Sequence, residues 1–191
     1  VCPHFWELKL GRGCPFSCTY CISSTIEGVR YFSLERVEKD LARIMKCNIR
    51  QVKFVDRTFN CNRERAKHIL KFIIANPCDI NFHFEAAADL FDDEMLDILS
   101  KAPPGLIQFE IGVQSTNQET LKLIERVTRL DRVFSNVAKL KAFRNIHLHL
   151  DLIAGLPAEN YDSFTRSFNQ IYSLEPHQLQ LGFLKMLKGS K

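Results

Sequence analysis

Residues 11–21 read Gly-Arg-Gly-Cys-Pro-Phe-Ser-Cys-Thr-Tyr-Cys, and they hold three of the chain's seven cysteines, at Cys14, Cys18 and Cys21. Directly before this stretch, residues 5–10 alternate apolar and polar side chains in the manner of a β-strand. The pattern therefore predicts a first strand followed by a short loop that carries all three thiols.

Three thiolates on one loop can each hold one iron of a [4Fe–4S] cluster, whereas clusters held by protein alone normally use four cysteines. The missing fourth ligand leaves one iron open to a substrate or cofactor. Gly11 and Gly13 let the loop wrap closely where larger side chains would collide with a cluster. The alternative is a zinc site completed by His4 or Cys61. Zinc motifs favour two C-x2-C halves, and this chain has only one.

Outward from this loop, short β-rich runs alternate with amphipathic helical runs of 3.6-residue period. No hairpin signal interrupts the alternation, so we expect parallel strands joined by crossover helices. The predicted strands are 5–10, 51–55, 80–86, 106–111, 146–153 and 178–187. The predicted helices are 33–45, 63–75, 92–101, 118–127, 133–143 and 162–173.

This pattern predicts an α/β protein with about six βα units. A complete eight-unit barrel typically needs about 250 residues, so a chain of 191 residues favours a partial, open parallel β/α barrel. A doubly wound sheet is the alternative architecture. No linker divides the chain, and we expect residues 1–191 to form one domain of a longer multidomain protein. In both architectures the functional residues lie at the carboxyl ends of the strands.

Composition excludes several classes of protein. With 46% hydrophobic and 25% charged residues, the chain is not expected to be disordered. It has no charge-free run of about 18 residues, so we do not expect it to span a membrane. The net charge of +4 gives little support to nucleic-acid binding. An odd, clustered set of seven cysteines does not indicate a disulfide framework, and we expect a reducing, cytoplasmic environment.

Polar residues also mark the later strand ends. Glu85 ends the third predicted strand among apolar neighbours, so an inward orientation would require a partner for its charge. Gln114 follows the fourth strand, Arg126 lies on the next predicted helix, and Asp151 opens a Gly-Leu-Pro stretch at the end of the fifth. Each has a plainer reading, as a solvated helix residue, a loop-capping amide or a helix cap.

The C-x3-C-x2-C pattern with an aromatic residue, Tyr20, before its third cysteine resembles the radical S-adenosylmethionine (radical SAM) superfamily. The series from Gln114 through Arg126 to Asp151 is similar to that of the oxygen-independent coproporphyrinogen oxidase group. That resemblance implies SAM contacts from Gln114, Arg126, Asp151 and Glu85, with the Tyr20 backbone beside the adenine.

Membership would imply a mechanism as well. SAM chelates the open iron, the reduced cluster donates one electron to its sulfonium, and the resulting 5′-deoxyadenosyl radical abstracts a hydrogen atom from a small-molecule substrate. The protein positions the cofactors and keeps water out. A one-electron donor such as flavodoxin or ferredoxin is the implied partner. The resemblance identifies no substrate and no catalytic residue beyond the cofactor ligands.

The second predicted strand ends in Val-Asp-Arg-Thr-Phe-Asn at residues 55–60, where many members carry a Gly-Gly-Glu-like stretch. This resembles the D-x-x-F form of cobalamin-associated members, as does the Leu-Lys-Gly-Ser ending at residues 187–190. Asp56 would then receive the ammonium group of SAM, or it is a turn aspartate. Cobalamin itself would be bound through a domain outside this chain.

Two further functions compete with this assignment. A tetrapyrrole oxidase of the coproporphyrinogen type is one, although the tyrosine that this group places six residues before its first cluster cysteine is Leu8 here. The other is a zinc- or cluster-stabilised RNA-binding module without catalysis. Such a module should carry a dense basic patch, and residues 63–65 provide only a short one.

Overall fold

The computed structural model describes residues 5–25, 28–76 and 78–190. Its strands are β1 (Phe5–Leu8), β2 (Gly11–Gly13), β3 (Val29–Tyr31), β4 (Gln51–Phe54), β5 (Asn81–Glu85), β6 (Ile107–Gln114), β7 (Ile146–Ala154) and β8 (Gln178–Phe183). Its α-helices are α1 (Leu34–Ile44), α2 (Arg63–Ala75), α3 (Asp93–Ser100), α4 (Gln118–Leu123), α5 (Leu130–Ala142) and α6 (Tyr161–Tyr172).

Six strands form one parallel sheet in the order β1-β4-β5-β6-β7-β8. Each strand lies beside the strand that follows it across a helical crossover. A doubly wound sheet would reverse direction at a switch point, and this sheet has none among the described strands. The predicted α/β class and parallel architecture are confirmed, and the order is that of an open, partial barrel.

The two faces of the sheet differ in chemical character. One face is apolar and packs against the helices; it carries Val52, Phe54, Phe82, Phe84, Ile107, Phe109, Leu148 and Leu150. The opposite face is polar; it carries Lys53, His83, Glu85, Gln108, Glu110, His147, His149 and Asp151. A doubly wound sheet would be apolar on both faces. The polar face therefore lines the interior of the open barrel.

A small antiparallel ribbon encloses the cysteine loop. β2 pairs with β3, so Gly11 lies opposite Tyr31 and Gly13 opposite Val29. The expectation of no hairpin is wrong here, because β2 is only three residues long and its partner lies beyond the cysteines. Gly13 has φ +100°, and a Cβ there would lie 2.1 Å from the carbonyl oxygen of Gly28. Only glycine fits this close approach.

Several predicted element boundaries moved; β6, for example, continues to Gln114 instead of ending at residue 111. α4 ends at Leu123, so Arg126 lies in the segment after the helix rather than on it. The last strand ends at Phe183 instead of residue 187, because its neighbour β7 ends at Ala154 and the last ladder bond runs from Leu184 N to Ala154 O. No helix among the described residues is long and apolar enough to cross a membrane.

Candidate active site

A cavity of about 240 Å³ opens at the carboxyl ends of β4 to β7, above the polar face of the sheet. Eight of the nine predicted site residues line it: Cys14, Cys18, Tyr20, Cys21, Glu85, Gln114, Arg126 and Asp151. The folded chain thus gathers, from four separate stretches of sequence, the groups that the motifs single out.

The cysteine loop is held against neighbouring elements. Thr19 N donates to Ile124 O at 3.0 Å, which ties the loop to the end of α4, and Cys21 N donates to Cys18 O at 3.1 Å. Cys14 Sγ lies 3.8 Å from the hydroxyl of Thr58, which follows β4. Contacts near its start and near its end therefore hold the cysteine loop in place beside the cavity.

The described residues give the zinc alternative no support. Among residues 5–25, 28–76 and 78–190, no three His, Cys, Asp or Glu side chains converge as ligands of a single metal ion would. Cys61 does not line the cavity, and its thiol lies 3.0 Å from the hydroxyl of Tyr31. His4 lies outside the described residues. Three thiols spread along one cavity wall suit a cluster, in which each iron takes its own cysteine.

Arg126 reaches the cavity from just beyond α4. Its Nη2 donates to the carbonyl oxygen of Gly112, and its Nη1 lies 3.5 Å from the Tyr20 hydroxyl and 3.7 Å from Cys18 Sγ. The Nε of Arg126 is buried and has no hydrogen-bond partner among the described residues. A buried guanidinium donor without a partner is costly, so the site is built to receive an acceptor there.

Gln114 enters the cavity through an irregularity in the sheet. The register between β6 and β7 shifts at Gly112 and Gln114, and Gln114 has φ +73°, in the left-handed region. Such strain in a non-glycine residue is commonest at functional sites. Its Oε1 is buried and finds no partner in the part of the chain that the structure describes, and a Cβ on Gly112 would lie 2.2 Å from its Nε2. Gly112 therefore leaves room for this amide.

The two predicted carboxylates have partners. Asp151 Oδ1 lies 3.0 Å from Nε2 of His149, two residues earlier on the same face of β7. The nearby Asp151 carboxylate raises the pKa of His149 above its ordinary value. Glu85 lies 3.7 Å from Nη1 of Arg57, and burial raises the pKa of Glu85 despite this cation. The partner that the sequence required for Glu85 is thus Arg57.

Asp56 alone among the predicted residues does not line the cavity. Its Oδ2 accepts a hydrogen bond from Leu10 N at 2.7 Å, and it lines a small separate cavity together with Tyr31 and Arg65. Burial raises the pKa of Asp56. This position makes Asp56 a support for the start of the cysteine loop, and its predicted contact with SAM gains no support from the geometry.

Sequence reasoning missed the partners of Glu110, a further carboxylate that lines the cavity. Glu110 Oε2 lies 3.0 Å from Nε2 of His83 and 3.3 Å from Nζ of Lys53. The contact with His83 is the largest cause, and Lys53 a further one, of a Glu110 pKa lowered from 4.5 to about 2. The apolar–polar alternation of β4 to β6 signals one polar face, but the register that brings these three together appears only in the folded sheet.

We expect Glu110→Gln to lower stability at neutral pH and to reduce the acid sensitivity of the fold. Because the folded pKa lies below the unfolded one, ionised Glu110 contributes stability above about pH 4.5, and this is lost as pH falls towards 2. Urea unfolding of the full chain at several pH values should therefore show the wild-type and variant free energies converging as pH falls. The exposed Glu119→Gln is the matched control. A constant difference between Glu110→Gln and wild type would contradict the assignment.

The donor set fits a cluster and SAM together. Three thiols provide three iron ligands, the unpartnered Nε of Arg126 suits a carboxylate, and the unpartnered Oε1 of Gln114 suits a ribose hydroxyl or an ammonium. Glu85 and Asp151 add negative charge to the cavity lining, which suits a cationic ligand.

Comparison with known proteins gives a consistent result. The family model described as "Radical SAM superfamily" matches residues 8–171. Ribosomal protein uS12 methylthiotransferase RimO of Chlamydia caviae is 24% identical over 172 residues, which are 84% of this chain and 37% of the relative. A tRNA-2-methylthio-N(6)-dimethylallyladenosine synthase of Acinetobacter baumannii is 22% identical over 179 residues, 88% of this chain and 37% of that protein. The chain thus spans well under half the length of these relatives.

Solved structures share the fold. The radical SAM methyltransferase TsrM from Kitasatospora setae, solved with cobalamin and a [4Fe–4S] cluster bound, superposes with a TM-score of 0.84 at 16% identity, over 97% of this chain and 35% of that one. Coproporphyrinogen III oxidase HemN from Escherichia coli gives a TM-score of 0.67 at 17% identity, over 96% and 44% of the two chains.

Proposed function

The chain belongs to the radical SAM superfamily, and from that premise we propose that its cavity is where a [4Fe–4S] cluster and SAM meet. The observation that carries the proposal is the cavity lining: three cysteines on one wall and Glu85, Gln114, Arg126 and Asp151 around it. Cys14, Cys18 and Cys21 would each ligate one iron and leave the fourth for SAM.

The chain's own residues would then orient SAM. Arg126 offers forked donors to the carboxylate of SAM, a geometry that a lysine cannot copy. Glu85 and Asp151 face the positively charged groups, with Arg57 and His149 holding the two carboxylates in place. Gln114 hydrogen-bonds through an amide that Gly112 leaves room for. The Tyr20 backbone would lie beside the adenine.

A cluster held by Cys14, Cys18 and Cys21 would supply one electron to the sulfonium of SAM, whose carbon–sulfur bond would break to leave methionine and a 5′-deoxyadenosyl radical able to abstract hydrogen from a substrate. A flavodoxin or ferredoxin would be the source of that electron. The protein's contribution is to hold the reacting groups in one orientation in a site shielded from water.

The polar interior face supports a hydrophilic substrate. Lys53, His83, Gln108 and His147 lie on the polar face of the sheet outside the cavity lining, where complete barrels usually pack apolar side chains. Such a surface binds ligands that carry hydrogen-bonding or charged groups. The names of the relatives favour methyl or methylthio transfer, as in TsrM and RimO, over porphyrin oxidation. Any use of cobalamin would depend on a domain outside these 191 residues.

Reconstitution of the full 191-residue chain tests this function. Under anaerobic conditions with iron and sulfide, the chain should bind about four irons. With dithionite and SAM, it should then release 5′-deoxyadenosine, measured by chromatography. The same mixture without dithionite is the control and should release none. A chain that holds four irons, binds SAM and still releases no 5′-deoxyadenosine would contradict the proposal.

A further inference from the structure

The proposed contact between the Tyr20 backbone and adenine does not explain the position of the Tyr20 side chain. Its ring packs against a small apolar cluster formed by Leu121, Ile124 and Leu156. Its hydroxyl points the other way, into the cavity, where it lies 3.5 Å from Nη1 of Arg126, the same nitrogen that lies 3.7 Å from Cys18 Sγ. The packed ring therefore fixes the place of the hydroxyl beside a predicted cluster ligand.

Arg126 is held at the same sulfur. Its Nη1 lies 3.7 Å from Cys18 Sγ, and its Nη2 is anchored on the carbonyl oxygen of Gly112. The backbone bond from Thr19 to Ile124 keeps the cysteine loop and the Arg126 segment together. Two donors on separate parts of the chain thus converge on one thiol.

The hydrogen-bond directions are determined by chemistry. A guanidinium can only donate, so Nη1 donates to the Tyr20 oxygen, and the hydroxyl proton is available to the sulfur. Cys18 is 5% exposed, so water competes little for its sulfur. Hydrogen bonds to a charged group in such surroundings are stronger than those in water.

We propose that the Tyr20 hydroxyl and the Arg126 guanidinium raise the reduction potential of the cluster by donating hydrogen bonds at Cys18. The inference rests on the proposed function, since it requires the cluster. One-electron reduction by the external donor adds negative charge that is shared with the cysteine sulfurs, with no bond broken and no proton moved. Donors at a sulfur stabilise the reduced state more than the oxidised state. Tyr20 is thus a positioning residue that sets how readily the site accepts its electron.

Tyr20→Phe tests the inference, because it removes the hydroxyl and keeps the ring packing. The full chain is reconstituted and titrated under anaerobic conditions without SAM, with the reduced cluster followed by electron paramagnetic resonance. We expect reduction to become about tenfold less favourable, which for one electron is a midpoint shift of about 59 mV to more negative potential. Tyr161→Phe, which removes the same hydroxyl from an exposed helix position, should leave the potential unchanged.

Arg126→Gln supplies an independent variant and should shift the midpoint in the same direction. An unchanged midpoint in Tyr20→Phe with a full complement of iron would overturn the inference and leave the proposed function intact. If wild type itself holds no reducible cluster, the proposed function fails and the inference fails with it. A shift of equal size in Tyr161→Phe would also overturn it, because the effect would not then depend on Cys18.

Discussion

Each of the single replacements Cys14→Ala, Cys18→Ala and Cys21→Ala should abolish the cluster and, with it, all cleavage of SAM. Each thiol holds a different iron, and two remaining ligands do not retain the cluster against loss of iron. We expect iron to fall from about four per reconstituted chain to below about one, with loss of the brown colour and of 5′-deoxyadenosine production. Iron analysis and visible absorption after anaerobic reconstitution measure this directly.

Two other cysteines provide matched controls. Cys47 is exposed and lies beyond the end of α1, and Cys61 contacts Tyr31 outside the cavity. Cys47→Ala and Cys61→Ala should both keep full iron and full SAM cleavage. Full iron in all three of the first variants would remove the cluster assignment. Loss of metal in Cys61→Ala, with zinc in the wild-type chain, would instead support the zinc site.

Much of the fold was predictable because its strands differ so clearly on their two faces. The alternation at Val52 and Lys53, and again at Phe82 and His83, gives a strand with one buried face, and the helices between strands require parallel pairing. The hairpin around the cysteine loop was not predictable. Its two strands have three residues each and are joined by a loop that contains all three cysteines.

The candidate site, like the fold, has features that the sequence predicts and features that it does not. A motif names the residues at strand ends, and parallel strands bring those ends to one rim, so eight of nine predicted positions line one cavity. Asp56 was placed there because it also follows a strand, but its carboxylate turns back to Leu10 N. The direction of a side chain in a turn depends on the backbone around it, which residue type alone does not determine. For the same reason the sequence did not reveal that the Tyr20 hydroxyl and the Cys18 thiol lie beside the same nitrogen of Arg126.

Arg126→Ala should weaken SAM binding to the reconstituted chain by roughly 10- to 150-fold. Loss of one charge-assisted contact costs about 1.5–3 kcal/mol, and Nε of Arg126 is a buried donor left unpartnered for such an acceptor. Arg126→Lys keeps the charge and loses the fork, so its affinity should lie between those of alanine and wild type. Calorimetric titration with SAM, on samples matched for iron content, measures all three.

The exposed Arg166→Ala on α6 is the control, and it should bind SAM as tightly as wild type does. If both Arg126 variants also bind SAM like wild type, the guanidinium does not bind the carboxylate of SAM. Its role is then to support the fold, through its contacts with Gly112 and Cys18. Glu85→Gln and Asp151→Asn then become decisive. Unchanged affinity in those variants too would remove three of the four side-chain SAM contacts carried over from the coproporphyrinogen oxidase group and leave only Gln114. The cluster assignment would stand, because it depends only on the three cysteines.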